Sequence, residues 1–251
     1  MAKPDFTVYL KDFYNVMIIS QAVIGAYVTY KIGFAYLLQA AIAIGVAVTV
    51  DLLIKYYKQE LTLPRSAIIS GFIIANVLAA NQLYLFAVFA AVAMILKHII
   101  RFESKHIFNP ANLVLASLVF ILPASHGWLG GLSIPLVIVL GCWTIATLKR
   151  LHLPVIFFGT YLILLLAFYQ FAGGGLLDGW QKFISDGAMW FFGLFMLTEP
   201  VTSPITTKGQ IVFGLLAVFF AFAATFGLPQ FAFPLALVAA DVLVPIINRY
   251  I

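Results

Sequence analysis

A glutamate, three hydroxyl side chains and two prolines fall together in Thr198–Glu199–Pro200–Val201–Thr202–Ser203–Pro204, between two long apolar runs. Carboxylate and hydroxyl groups on a broken backbone can bind a polar ligand. Within lipid such a break is tolerated only where the freed N–H and C=O groups face protein or a wet cavity. Glu199 is the sharpest candidate, because a carboxylate among apolar residues is costly and is kept for a partner or a task. Its bland alternative is a helix-end carboxylate accepting the N–H groups freed around Pro200. Thr198, Thr202 and Ser203 either bond a ligand or satisfy the broken backbone. Asn109 and Asn112 flank Pro110. Asn109 reads as a helix cap with Pro110 at the first helical position. Asn112, one turn inward, is open to a ligand or an interhelical bond. Asn76 and Gln21 lie inside apolar runs, and Asp241 sits inside the last one in a functional or paired role. Asp51, four residues before Lys55, reads as half of a surface ion pair.

The elements that must position these groups are membrane helices. The chain has 251 residues, 64% of them hydrophobic and only 9% charged, which no soluble domain of this size matches. Apolar runs bounded by charges, prolines or glycines predict about ten transmembrane helices: Tyr14–Tyr30, Phe34–Ile54, Ser66–Ala80, Leu83–Ile100, Pro110–Leu122, Ser133–Leu148, Pro154–Phe171, Phe183–Leu197, Gly209–Phe226 and Phe231–Ile247. With the N-terminus inside, Lys3, Lys11, Lys55, Lys58, Arg65, Lys97, Arg101, Lys105, Lys149, Arg150, Lys208 and Arg249 fall inside, and only Lys31 and Lys182 outside. Both termini are therefore predicted cytoplasmic. Residues 1 to 12, with Lys3 and Asp5, read as a short cytoplasmic lead-in without a signal peptide. The basic residues are too dispersed for nucleic acid. Tyr9, Tyr14, Tyr56, Tyr57, Trp128, Trp180 and Tyr250 lie near helix ends, as an interfacial belt does.

Ten helices divide into two sets of five, and an odd number per half inverts the second against the first. The chain reads as one membrane domain, 1–251, with a first repeat at 1–123 and a second, inverted repeat at 124–251. A shift of 122 residues lays Gly71–Leu78 over Gly193–Pro200, and a shift of 124 lays Phe108–Val114 over Ala232–Val238. The third and eighth helices are then partners. Each is near 15 residues, a rise of about 22 Å against a hydrocarbon core of about 30 Å. Asn76 and Asn81 mark one polar tip, and Thr198, Glu199, Thr202 and Ser203 the other, near the midplane where an inverted-repeat protein binds its ligand.

The block Gly193–Leu194–Phe195–Met196–Leu197–Thr198–Glu199–Pro200–Val201–Thr202–Ser203–Pro204, followed by Lys208–Gly209, resembles the RnfD/NqrB family, membrane subunits of ion-coupled redox complexes. Lys97 with Phe108–Asn109–Pro110–Ala111–Asn112, and the ending Asp241–Val242–Leu243–Val244–Pro245–Ile246–Ile247–Asn248, are similar to two further family blocks. The resemblance runs from about Ser66 to Asn248. It implies a ten-helix, two-repeat, urea-transporter-like fold in the cell inner membrane. It also implies a non-covalent flavin, riboflavin or FMN, held between the repeats by Asn76, Asn112, Thr198, Glu199, Thr202 and Ser203. Family members with covalent FMN carry it on the threonine of a Ser/Thr-Gly-Ala-Thr motif after the fifth helix. Here that segment, Pro123–Leu132, holds no threonine, and the motif occurs nowhere in the chain, so covalent FMN is expected to be absent. The nearest fragment, Ser185–Asp186–Gly187–Ala188, opens the eighth predicted helix without an acceptor.

The expected function is a membrane electron-transfer subunit with no catalytic residue of its own, surrounded by membrane lipid. Nothing in the chain reads as a nicotinamide site, so a soluble or membrane redox partner must supply electrons. The competing reading is a transporter or channel for a small polar, flavin-like or urea-like solute, favoured by the two half-length helices. His98, His106, His126 and His152 share no helix face at membrane depth, so no metal or haem site is expected. Cys142 reads as a buried spectator thiol.

Overall fold

The computed structural model describes residues 10–60, 62–102, 105–148 and 150–251; Lys3, Asp5, Tyr9 and Lys149 lie outside them. Helices occupy each predicted stretch: α1 (Phe13–Ile32), α2 (Phe34–Tyr57), α3 (Arg65–Val77), α4 (Leu83–Ile99), α5 (Pro110–Ser117, extended by the 3-10 turn Leu118–Phe120), α6 (Ile134–Leu148) and α7 (His152–Phe171). They continue with α8 (Leu176–Ser185), α9 (Gly187–Phe191, running into a π turn at Phe192–Met196), α10 (Thr207–Thr225) and α11 (Ala232–Tyr250). Among the described residues, five segments are long and apolar enough to cross a membrane: α1, α2, α7, α10 and Pro229–Tyr250 around α11.

Two packed groups are evident. In the first, α2 lies against α3 and α4, with α1 beside α2 and α3; in the second, α10 lies against α7 and α11. The groups join where α1 meets α6 and where α5 meets α11. Small residues set the close spacing in the first group. Ala40, Ala43 and Ala47 of α2 are buried, and a Cβ on Gly71 of α3 would stand 2.6 Å from Ile44 Cα. This is how helices approach where water provides no driving force between them. The outer surface carries large apolar side chains, among them Phe34, Leu53, Ile163, Phe171 and Phe219. Helices apolar on both inner and outer faces suit a lipid surround.

Three sequence expectations change. The eighth predicted helix, Phe183–Leu197, is split at Asp186. Its front part belongs to α8, a short amphipathic helix that exposes Leu176, Leu177, Trp180 and Ile184 in the pattern of an interfacial helix. Asp186 then caps α9 by accepting the Met189 N–H at 3.0 Å. The third predicted helix stops at Val77 rather than Ala80, because Leu78–Ala79 turns into a strand paired antiparallel with Ser125–His126. The Val77 carbonyl is taken by the N–H groups of Gly127 (2.7 Å) and Trp128 (3.3 Å), which satisfy the broken helix end. Cys142 is exposed on α6, because it lies on the outer face rather than the packed one.

Candidate functional site

A narrow crevice forms where four elements converge. Phe13, Tyr14 and Met17 come from α1, and Ser66, Ile69, Ser70 and Ile73 from α3; Asn109 caps the start of α5, Phe195 comes from the π turn after α9, and Glu199 and Pro200 from the loop that follows it. Ser66, Ser70 and Ile73 fall on one face of α3 by their spacing of four and three. Asn109 is the expected cap: its Oδ1 accepts the Asn112 N–H at 3.0 Å, with Pro110 at the first helical position. Its own N–H donates to Asp241 Oδ2 at 3.1 Å, which pins α5 to α11. Asp241 is fully buried, and its Oδ1 has no partner among the described residues.

The π turn delivers Glu199. Leu197 N–H donates to Phe192 O at 3.0 Å, and the side chain of Thr198 bonds back to Leu194 O at 2.8 Å. A π turn inserts one extra residue, which re-aims the residues after it. Glu199 Oε1 then lies 3.6 Å from His106 Nε2, and Thr202 Oγ1 is 3.5 Å from Oε2. Ser203 turns away and accepts a 2.7 Å bond from Arg150 Nη1.

Of the six predicted site residues, the crevice takes Glu199 alone. Thr198 satisfies its own helix, and Ser203 serves Arg150. Thr202 lines a separate groove beside His106. Asn112 donates through Nδ2 to Pro234 O at 2.9 Å, while its buried Oδ1 has no partner among the described residues. Asn76 is a brace: it accepts the Tyr36 hydroxyl at 2.6 Å and donates to Gln21 Oε1 at 2.8 Å. Tyr36→Phe strands the Asn76 acceptor in the core and is expected to cost about 1–2 kcal/mol. Thermal unfolding in detergent measures this, and an unchanged midpoint would mean that the bond contributes nothing net.

Sequence reasoning missed Tyr14, Ser66 and Ser70 as crevice residues. The serine spacing is a usable signal, whereas Tyr14, near a helix end, carries the mark of an interfacial residue. It also misplaced Asp51. The Lys55 pair exists at 2.7 Å but is buried, and Lys97 Nζ and His98 Nε2 each lie 2.9 Å from the other oxygen. Lys97 also donates to Ser66 Oγ at 2.7 Å, so the buried charge cluster backs onto the crevice wall.

Chemically the crevice offers hydroxyl, amide and carboxylate groups beside three aromatic rings, a lining suited to a planar ring that carries carbonyl and N–H edges. Its volume is about 10 Å³, room for about one water. A space of this size admits no ring ligand with Phe13 and Tyr14, at the first turn of α1, as they stand.

The sequence pattern of the NQR2, RnfD, RnfE family matches residues 125–251, half of the chain. Three bacterial proteins, each named as a subunit of an ion-translocating oxidoreductase complex, are similar over shorter stretches. That of Actinobacillus succinogenes is 30% identical over 138 residues, 51% of this chain and 37% of the relative. That of Citrobacter koseri is 32% identical over 102 residues, 40% of this chain and 29% of the relative. That of Mannheimia succiniciproducens is 40% identical over 73 residues, 28% of this chain and 20% of the relative. The matches thus span between 20% and 37% of the length of these relatives.

Proposed function

Because the chain belongs to the NQR2, RnfD, RnfE family, we propose that it is a multi-pass inner-membrane subunit of an ion-translocating oxidoreductase complex that holds a flavin non-covalently and relays electrons. The observation that carries this reading is the family match over residues 125–251; the crevice where Ser66, Ser70, Asn109 and Glu199 meet Phe13, Tyr14 and Phe195 is the candidate site, and it opens to a ring only when Phe13 and Tyr14 swing aside. A bound flavin supplies one- and two-electron redox chemistry. The protein's part would be to hold it: Ser70 and Asn109 would bond its polar edge, Ser66 is oriented by Lys97, and the aromatic side chains would cover the ring and exclude water. Electrons come from another domain or subunit of the complex.

The fold reading that goes with this function is ten helices in two inverted five-helix repeats, with both termini cytoplasmic. Two cross-bundle contacts support the repeat. Ser20 and Thr144 share a 3.2 Å hydroxyl bond 124 residues apart, and Asn112 bonds Pro234 122 residues apart. The Ser20–Thr144 separation equals the 124-residue shift, and Asn112, which that shift lays over Ala236, bonds Pro234 two residues before it. Each half also contributes a helix that stops short and leads into irregular backbone, α3 and α9, although the tip that carries Glu199 lies at the first turns of α1 and α3 rather than between the two ends of those helices.

Purification in mild detergent, with visible absorption recorded before and after denaturation, tests the flavin. The expected result is a flavin spectrum that leaves the protein on denaturation, and a Ser70→Leu variant, which fills the crevice, that is colourless yet folded. A wild-type protein that is colourless and ignores added flavin overturns the reading. Solute flux in proteoliposomes, lost in Glu199→Ala, would then put transport in its place.

A further inference from the structure

A second, larger opening lies beside the crevice. It is a groove of about 430 Å³ between the paired strands Arg101–Phe102 and Lys105–His106, the loop at Val201–Ile205 and the C-terminal turns of α11. Asn248 Oδ1 accepts the Ile205 N–H at 3.0 Å and so ties the loop to α11 and fixes one wall. Lys105 and Arg249 stand at the rim, both exposed. Among the described residues no carboxylate pairs with either, and Arg249 rests over the Tyr250 ring, its guanidinium 5.6 Å from the centroid. His106 also lines the groove, and its buried Nε2 has no hydrogen-bond partner among the described residues. Glu199, 3.6 Å from that nitrogen, is the nearest recorded carboxylate and lines the neighbouring crevice rather than this groove. Val201, Ile205, Val244 and Pro245 make the remaining wall apolar.

A cationic rim beside an apolar wall, at the helix ends where the basic residues collect, matches a ligand with an anionic head and an apolar body. Phosphate is the anion that suits both a lysine ammonium and an arginine fork. We propose that this groove binds the phosphate of an amphipathic phosphate ester, with Lys105 and Arg249 on the anion and the Ile205, Val244 and Pro245 wall against the apolar part. Basic pockets between membrane helices on the cytoplasmic side hold lipid head groups by the same electrostatics. Two sources share this chemistry, an anionic phospholipid and a soluble ester such as FMN.

The test uses the delipidated full chain in a neutral detergent, with binding followed by native mass spectrometry and ligand-induced thermal shift. Phosphatidylglycerol is compared with phosphatidylcholine of the same acyl chains, and FMN with riboflavin. The expected result is preference for the net-anionic member of at least one pair, phosphatidylglycerol or FMN, weakened by added salt. Lys105→Ala and Arg249→Ala are each expected to reduce binding roughly fivefold, with the thermal midpoint of the ligand-free protein unchanged because both side chains are exposed. Preference confined to the lipid pair identifies a head-group site, and preference confined to the FMN pair identifies a soluble ester. Equal affinity within both pairs, or affinity indifferent to salt and to the Lys105→Ala/Arg249→Ala double change, overturns the proposal. Loss of riboflavin binding in Ser70→Leu with phosphatidylglycerol binding intact separates failure at the crevice from failure here.

Discussion

Asp51→Asn is expected to destabilise the protein by about 3–5 kcal/mol, the penalty for leaving buried charge without its counter-ion. The carboxylate is wholly inaccessible, and the side chains of Lys55, Lys97 and His98 around it are each less than a tenth exposed. Asparagine keeps the shape of the side chain and removes the charge. The two ammonium groups are then left to Ser66 Oγ and to the distant carbonyls of Thr62 and Leu63, at 3.5 and 3.4 Å from Lys55. An exposed i,i+4 pair would lose less than about 1 kcal/mol on the same change, so the size of the effect separates the two placements. Thermal unfolding in detergent is the measurement. The companion variant Asp51→Asn/Lys97→Met removes one stranded cation and is expected to recover part of the loss, a coupling that independent sites would not show. If Asp51→Asn unfolds within a degree or two of wild type, the cluster is solvated and its burial does not govern stability.

The helices were legible because lipid-facing and core-facing positions are both apolar, so each run stands out whole between its charged or glycine-bearing ends. Predicted Leu83–Ile100 against observed Leu83–Ile99 shows how little tertiary context was needed. Context decided the exceptions. α3 stops at Val77 because the Ser125–His126 strand and the Gly127 and Trp128 N–H groups, some 50 residues on, capture its end. α8 is ten residues long and amphipathic, so no apolar run announced it. The candidate site was half legible for a similar reason. Glu199 announces itself, since a carboxylate between two long apolar runs has few bland explanations. Asn76 and Asn112 carry the same polar signal but spend it on Gln21, Tyr36 and Pro234, which sequence distance hides. The Asp51 cluster failed in the other direction. Its i+4 lysine was visible, whereas Lys97 and His98, 46 and 47 residues away, turn a surface pair into a buried one.

Gly187→Ala is expected to cost about 3 kcal/mol, the upper end of the range for overpacking, although a single methyl is added. Gly187 opens α9 and Gly131 ends the 3-10 turn Leu129–Gly131, and the two backbones touch. A Cβ on Gly187 would stand 2.1 Å from Gly131 O, and one on Gly131 would stand 2.4 Å from Gly187 O. Neither obstacle is a flexible side chain, so relief requires the turn and the helix to separate. That separation would propagate along both elements. The turn's neighbour Gly130 packs on Phe191 and Asn76, and α9 leads through its π turn to Glu199. Gly187→Ala should therefore lower both the thermal midpoint and flavin retention, whereas Asp51→Asn acts first on stability. Gly45 of α2 and Gly159 of α7 serve as controls, with no atom within 4 Å of an added Cβ. Alanine there is expected to stabilise by up to about 1 kcal/mol through helix propensity. Should Gly187→Ala behave like Gly45→Ala, the contact between α9 and the Leu129–Gly131 turn is not tight in solution, and the crevice is not held from that side.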